Sequence, residues 1–230
     1  MRGPYSSLWS SYTSGPPLRR SREQGTSSTE ITHLTLAFLV LTLDFVLLYG
    51  GLAVYDTSTE LLLIAVAAAA ALTAFVAHEM AHKVSAQRRG YWAEFRLSVT
   101  GLLVSVVTAV IGFLFAAPGA TMIGGTADQD DMGRISLAGP ATNFVFSLGF
   151  LAGAFVAGAY PAGTLLSLIF LFLAYINAWF AAFNMIPIGP LDGAKVYRWS
   201  GAVWVASFLL FAAVAGALFY FVTYAPLPTL

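Results

Sequence analysis

Cysteine is absent from this 230-residue chain. Disulfides and thiolate metal sites are thereby excluded, and any metal must be held by histidine, carboxylate or water. Charge is also scarce: Asp, Glu, Lys and Arg make up 10% of the residues, with 11 basic side chains balancing 11 acidic ones. A neutral chain offers no overall field for nucleic acid or for an acidic partner, so no nucleic acid is expected. Apolar residues are abundant instead, at 58% of the chain. Several runs reach the roughly 20 residues that cross a hydrocarbon core of about 30 Å. The chain therefore reads as an integral membrane protein whose surroundings are a lipid bilayer.

The first thirty residues are rich in Ser, Gly, Pro and Arg and hold no apolar run. They read as a disordered cytoplasmic tail, 1–30, before one membrane domain, 31–230. Hydropathy gives spans at Ile31 to Val54, Leu61 to Val84, Ile135 to Ala157, Thr164 to Met185 and Ala202 to Tyr224. Arg19, Arg20 and Arg22 precede the first span and place the amino terminus in the cytoplasm. Two crossings then bring Lys83, Arg88, Arg89 and Arg96 back to that side.

The apolar stretch Leu97 to Ala117 decides the rest of the topology. A full crossing would put Lys195 and Arg198 outside, against the positive-inside rule. A re-entrant or sheet-like element at 97–117 keeps them inside, and its Val, Thr and Phe residues suit pleated structure. Non-helical backbone at membrane depth must be covered by protein or line a cavity, so this element should border a site. The expected fold class is an all-α polytopic membrane protein with five or six transmembrane helices and a small membrane-associated β or re-entrant element.

At the end of the second apolar run stands "HEMAH", His78 to His82. Two histidines four residues apart project from one helix face and can grip a single ion, while Glu79 beside them can act as base on a water the metal activates. A catalytic zinc site normally has three protein ligands and one open position. His33 and Asp44 in the first span, and Asp192 in "NMIPIGPLDGAKVYRW", are the candidates for the third. Asp192 has the best surroundings, because Pro187 and Pro190 break the preceding helix and Gly189 and Gly193 free the backbone to fold back.

"HEMAH" in a membrane helix, followed by "NMIPIGPLDG" about a hundred residues on, resembles the site-2 protease family of intramembrane zinc metalloproteases (peptidase family M50). The resemblance runs from about residue 59 to 199 and rests on Asn184, Pro187, Leu191, Asp192 and Gly193 as well as on the histidine motif. It implies Zn2+ as cofactor, His78, His82 and Asp192 as metal ligands and Glu79 as the catalytic residue. Asn184 and Asn143 are implied as substrate-binding positions; Asn143 lies in "AGPATN", which is similar to the family's Ala-Gly-Pro segment. "AAPGATMIGG", 116–125, resembles the family's glycine-containing sheet, whose edge could hold an extended substrate by backbone pairing. The implied activity is hydrolysis of peptide bonds within or near transmembrane segments of protein substrates, in a prokaryotic cell membrane. A metal transporter is the alternative, but it would more naturally show repeated halves or ligands spread along a path. An inactive binding protein of the same fold is a second alternative.

Overall fold

The computed structural model of the chain describes residues 25–49, 56–114, 118–160 and 163–224. Most of the expected tail, 1–24, lies outside the described residues. Its last residues are helical: Ser27 Oγ accepts from the Glu30 N–H at 3.1 Å and so caps a first helix, α1, Ser28–Tyr49.

A long second helix, α2, runs over Thr57–Arg88. Asp56 starts it by accepting from the Ser58 and Thr59 amides, at 3.0 and 3.2 Å. Gly90, with φ of 87°, turns the chain out of it into strand β1, Trp92–Leu97. A short helix, α3, Val99–Val110, and strand β2, Gly119–Gly124, follow. Asp128 caps α4, Gln129–Gly158, by accepting from the Asp131 amide at 2.8 Å. The chain then forms α5, Thr164–Asn184, a short α6, Asp192–Trp199, and α7, Gly201–Tyr224.

Among the described residues α1, α2, α4, α5 and α7 are long and apolar enough to cross a membrane. They overlap the five spans read from hydropathy, of which residues 50–54 of the first lie outside the described residues, and the protein is an all-α polytopic membrane protein with one small sheet. β1 and β2 pair antiparallel, Phe95 facing Thr121 and Leu97 facing Gly119. Just beyond, Ser98 N–H donates to the Pro118 carbonyl at 2.8 Å. The two ends of segment 98–118 therefore meet, and its 12-residue helix, about 18 Å long, is too short to cross.

This is the re-entrant alternative, with a correction to its internal structure. The Val- and Thr-rich stretch expected to be pleated is helical between 99 and 110, and the strands flank it. Ser98 accepts from the Gly101 amide at 3.1 Å and starts the helix. Ser105 and Ala109 are buried, while Val99, Leu103, Val107 and Val110 form an exposed apolar stripe. That division into faces has the helical period, and packing of α3 against α1 outweighs the β preference of its branched side chains.

Helix α4 lies between α2, α5 and α6 and touches all three. A core of Ala37, Leu41 and Phe45 from α1, Ala70, Ala71 and Ala74 from α2, and Leu173 and Ile176 from α5 closes the other side of α2. The polar face of α2 is thereby enclosed between α4 and the β hairpin.

Candidate metal centre and active site

His78, Glu79 and His82 lie on the last three turns of α2 and are buried, as is Asp192 at the first turn of α6. The Nε2 atoms of the two histidines are 2.9 Å apart. Asp192 Oδ2 lies 3.3 Å from His78 Nε2 and 3.1 Å from His82 Nε2. Asp192 is thus the third member of the cluster. Neither other candidate joins it: His33 Nδ1 accepts from the Leu97 N–H at 3.3 Å, and Asp44 is buried against α3, near Ser105.

The hydrogen bonds behind the histidines decide what these atoms can bind. His82 Nδ1 is 2.7 Å from the Ile135 carbonyl and must donate to it, which leaves Nε2 as a bare lone pair. His78 Nδ1 is 2.5 Å from Asn143 Oδ1. The Asn143 amide nitrogen faces three acceptors, the Ala74 carbonyl at 3.0 Å, the Thr73 carbonyl at 3.4 Å and Asn177 Oδ1 at 3.2 Å. That orientation fixes Oδ1 toward His78, so His78 also carries its proton on Nδ1. With both rings neutral, two Nε2 lone pairs converge with the Asp192 carboxylate, an arrangement that a cation stabilises. Ligand atoms of a tetrahedral zinc with bonds of about 2.0–2.1 Å lie roughly 3.3 Å from one another. The residues fit zinc, with His78, His82 and Asp192 to hold it.

Asp192 is held in its ligating form. Burial opposes its ionisation, but charge on the His82 ring, when that ring is protonated, and the nearby Lys195 ammonium keep its carboxyl well below the usual carboxylate range. Lys195 Nζ reaches the second oxygen, Oδ1, at 3.3 Å. The backbone conformation follows from the sequence around it. Pro187 and Pro190 prevent continuation of α5, and Gly189 takes a φ of 55°. A Cβ on Gly193 would stand 2.1 Å from the Met185 carbonyl, so only glycine lets α6 begin this close to the end of α5.

The "AGPATN" segment of α4 supplies the opposite wall. A Cβ on Gly139 would lie 2.4 Å from His82 Nε2 and 2.6 Å from His78 Nε2, so glycine leaves the space the imidazoles occupy. Pro140 takes one hydrogen bond out of this turn of the helix, next to the Ile135 carbonyl that orients His82. Asn143, expected at the substrate, is instead fully buried with its oxygen on His78 and its nitrogen on backbone and Asn177. Its side chain orients the His78 ring. Asn184 does line the cavity, its amide nitrogen donating to the Phe180 carbonyl at 3.0 Å.

Three features escaped the sequence reading. Residues Ala71–Val76 of α2 form a π-helical stretch, a widening in which the Thr73 and Ala74 carbonyls face Asn143. Asn177 of α5 supports Asn143 and donates to Thr73 Oγ1 at 3.0 Å. Thr121 of β2 donates both its N–H and its hydroxyl to Glu79 Oε2, each at 2.9 Å. An Asn in an apolar helix was the available signal for Asn177.

The two edges of the hairpin have different fates. On β1 the outward amides of Phe95 and Leu97 are taken by Glu30 Oε1, at 3.0 Å, and by His33 Nδ1. On β2 the outward groups belong by alternation to Gly119, Thr121 and Ile123, and all three line a cavity of about 140 Å³ together with His78, Glu79, His82 and Asp192. Side chains close one edge, and the other borders the donor cluster.

Buried histidines and a carboxylate, with a glutamate beside them, form a donor cluster of the kind a zinc metalloprotease uses. Two curated relatives bear the name "Putative zinc metalloprotease": MJ0611 of Methanocaldococcus jannaschii, 33% identical over 180 residues, and Rip3 of Mycobacterium tuberculosis, 33% identical over 128 residues. The first match covers 77% of this chain and 88% of the relative; the second covers 55% of this chain and 28% of the relative. The chain belongs to the site-2 protease family of zinc metalloproteases. No protein-family model matches it, and no solved structure does.

Proposed function

We propose that the protein is an intramembrane endopeptidase that cuts membrane-protein substrates within or near their transmembrane segments. The observation that carries this reading is the sharing of one cavity by the donor cluster, Glu79 and the outward edge of β2. A transmembrane helix keeps its carbonyls in intrahelical hydrogen bonds and must unwind before any of them can be attacked. The β2 edge offers the unwound segment new backbone partners, next to the base.

Zinc held by His78, His82 and Asp192 supplies a Lewis acid that makes water nucleophilic near neutral pH. Glu79 takes the proton of the attacking water on its carboxylate and hands it to the nitrogen of the departing amine. Asn143 and the Ile135 carbonyl hold the imidazoles with Nε2 toward the site, and Lys195 steadies Asp192. Asn184, on the cavity wall, is placed to orient substrate. The bilayer is that of a prokaryotic cell, with the amino terminus in the cytoplasm.

Cleavage of a single-span reporter substrate by the purified full chain in detergent tests this reading. Glu79→Gln is expected to lower kcat about 10²–10⁴-fold, the usual contribution of a general base, with zinc still bound. Wild-type rates in that variant would refute the role of Glu79.

A further inference from the structure

Thr121 stands at the middle of the outward β2 edge and is committed to Glu79. Its N–H and hydroxyl both reach Oε2 at 2.9 Å, and the hydroxyl also lies 3.1 Å from the Glu79 backbone carbonyl. One hydroxyl carries one proton, so it can serve either oxygen but not both at once. The N–H has a competing use. An extended chain pairing along Gly119, Thr121 and Ile123 would place a carbonyl against the Thr121 N–H, which in the substrate-free protein is taken by the base.

We propose that Thr121 couples substrate docking to the placement of Glu79. When a substrate carbonyl takes the Thr121 N–H, Oε2 loses its backbone donor and becomes available to water. The hydroxyl keeps its hold on Oε2, so the carboxylate stays beside the site. A resting base is thus tied to the strand by two bonds, and a working base by one. This inference rests on the proteolytic reading above, which gives Glu79 its role and β2 its occupant; the two bonds themselves belong to the substrate-free protein.

Valine has the shape and β preference of threonine without the hydroxyl, and serine keeps the hydroxyl, so the two substitutions separate hydrogen bonding from packing. Cleavage of the single-span reporter by the full chain in detergent is expected to show kcat about tenfold lower in Thr121→Val, the scale of one positioning hydrogen bond, with KM within about twofold. Thr121→Ser is expected to recover most of that loss, and bound zinc and the melting temperature report that each variant is folded. Wild-type kcat in Thr121→Val, or a loss that Thr121→Ser shares, would overturn the coupling.

A second measurement does not depend on turnover. Deuterium exchange at the Thr121 amide of the substrate-free protein should rise at least about tenfold in Glu79→Ala, because the N–H then loses its acceptor. Unchanged exchange would overturn the inference whatever the kinetics show. A wild-type chain that cleaves nothing would count against the proteolytic reading, and the exchange result would still decide whether Glu79 holds the strand.

Discussion

Two polar clusters border the histidines of α2, and they are made of different groups. The first is charged. Glu30 and Lys83 form a buried ion pair, Lys83 also donates to Thr26 at 2.9 Å, and Glu30 accepts from the Phe95 amide; beside them Glu94 Oε2 accepts from Ser27 and Arg96. The second is neutral, a relay of Asn177, Asn143 and Thr73 that ends on His78 Nδ1. The charged cluster joins the start of α1, the end of α2 and β1. The neutral one lies further along the apolar stretch of α2, between α4 and α5.

The difference follows from the cost of burial. An ion inside an apolar region needs an opposite charge and further hydrogen bonds, and the first cluster provides both while closing the edge of β1. An amide offers donors and an acceptor without net charge, so it can orient an imidazole deep between helices if each group finds a partner. Charge thus secures the hairpin, and neutral amides aim the His78 ring.

Breaking the charged cluster should give the largest change in stability. Glu30→Ala leaves the Lys83 ammonium buried without its partner, which costs about 3–5 kcal/mol. A thermal or denaturant melt in detergent should show a correspondingly large fall, and pairing Glu30→Leu with Lys83→Leu should restore most of it. An unchanged melt in Glu30→Ala would place Lys83 in water.

Breaking the neutral relay should act on the metal. Asn143→Ala frees the His78 ring and is expected to weaken zinc binding about 10–100-fold, as for other groups that orient metal ligands. Chelator competition measures it, and unchanged affinity would mean that the relay serves packing alone. The smallest effect should come from His33→Ala, which removes the acceptor from the Leu97 N–H and costs about 1 kcal/mol in the melt. Zinc affinity should not move in that variant, and a loss there would join the two clusters.

The five spans were legible because each is a long apolar run, and the histidine pair because a four-residue spacing on a helix needs no tertiary information. Asp192 was legible through the Pro and Gly residues that fold it back. The return of segment 98–118 was readable from the charges that follow it, whereas the helicity of α3 depends on α1, which composition does not reveal. The contact between Asn143 and His78 spans 65 positions. Thr73 and Asn177 are separated by 104 positions and Glu30 and Lys83 by 53, and pairings of this kind leave no local pattern.

The widened stretch Ala71–Val76 has a consequence for the whole of α2. Each residue advances an α-helix by about 100°, so one extra residue in a turn rotates everything before it relative to everything after it by about that angle. The amino-terminal half can then keep its alanine and leucine faces in phase with neighbouring helices and lipid, while the carboxy-terminal half presents histidine and glutamate in a different direction. Removing one residue between 71 and 76 would restore a regular helix and bring the two halves into a shared phase. Either the span would lose its packing or the site its aim. The widening works as a fixed angular offset that lets one helix follow two environments.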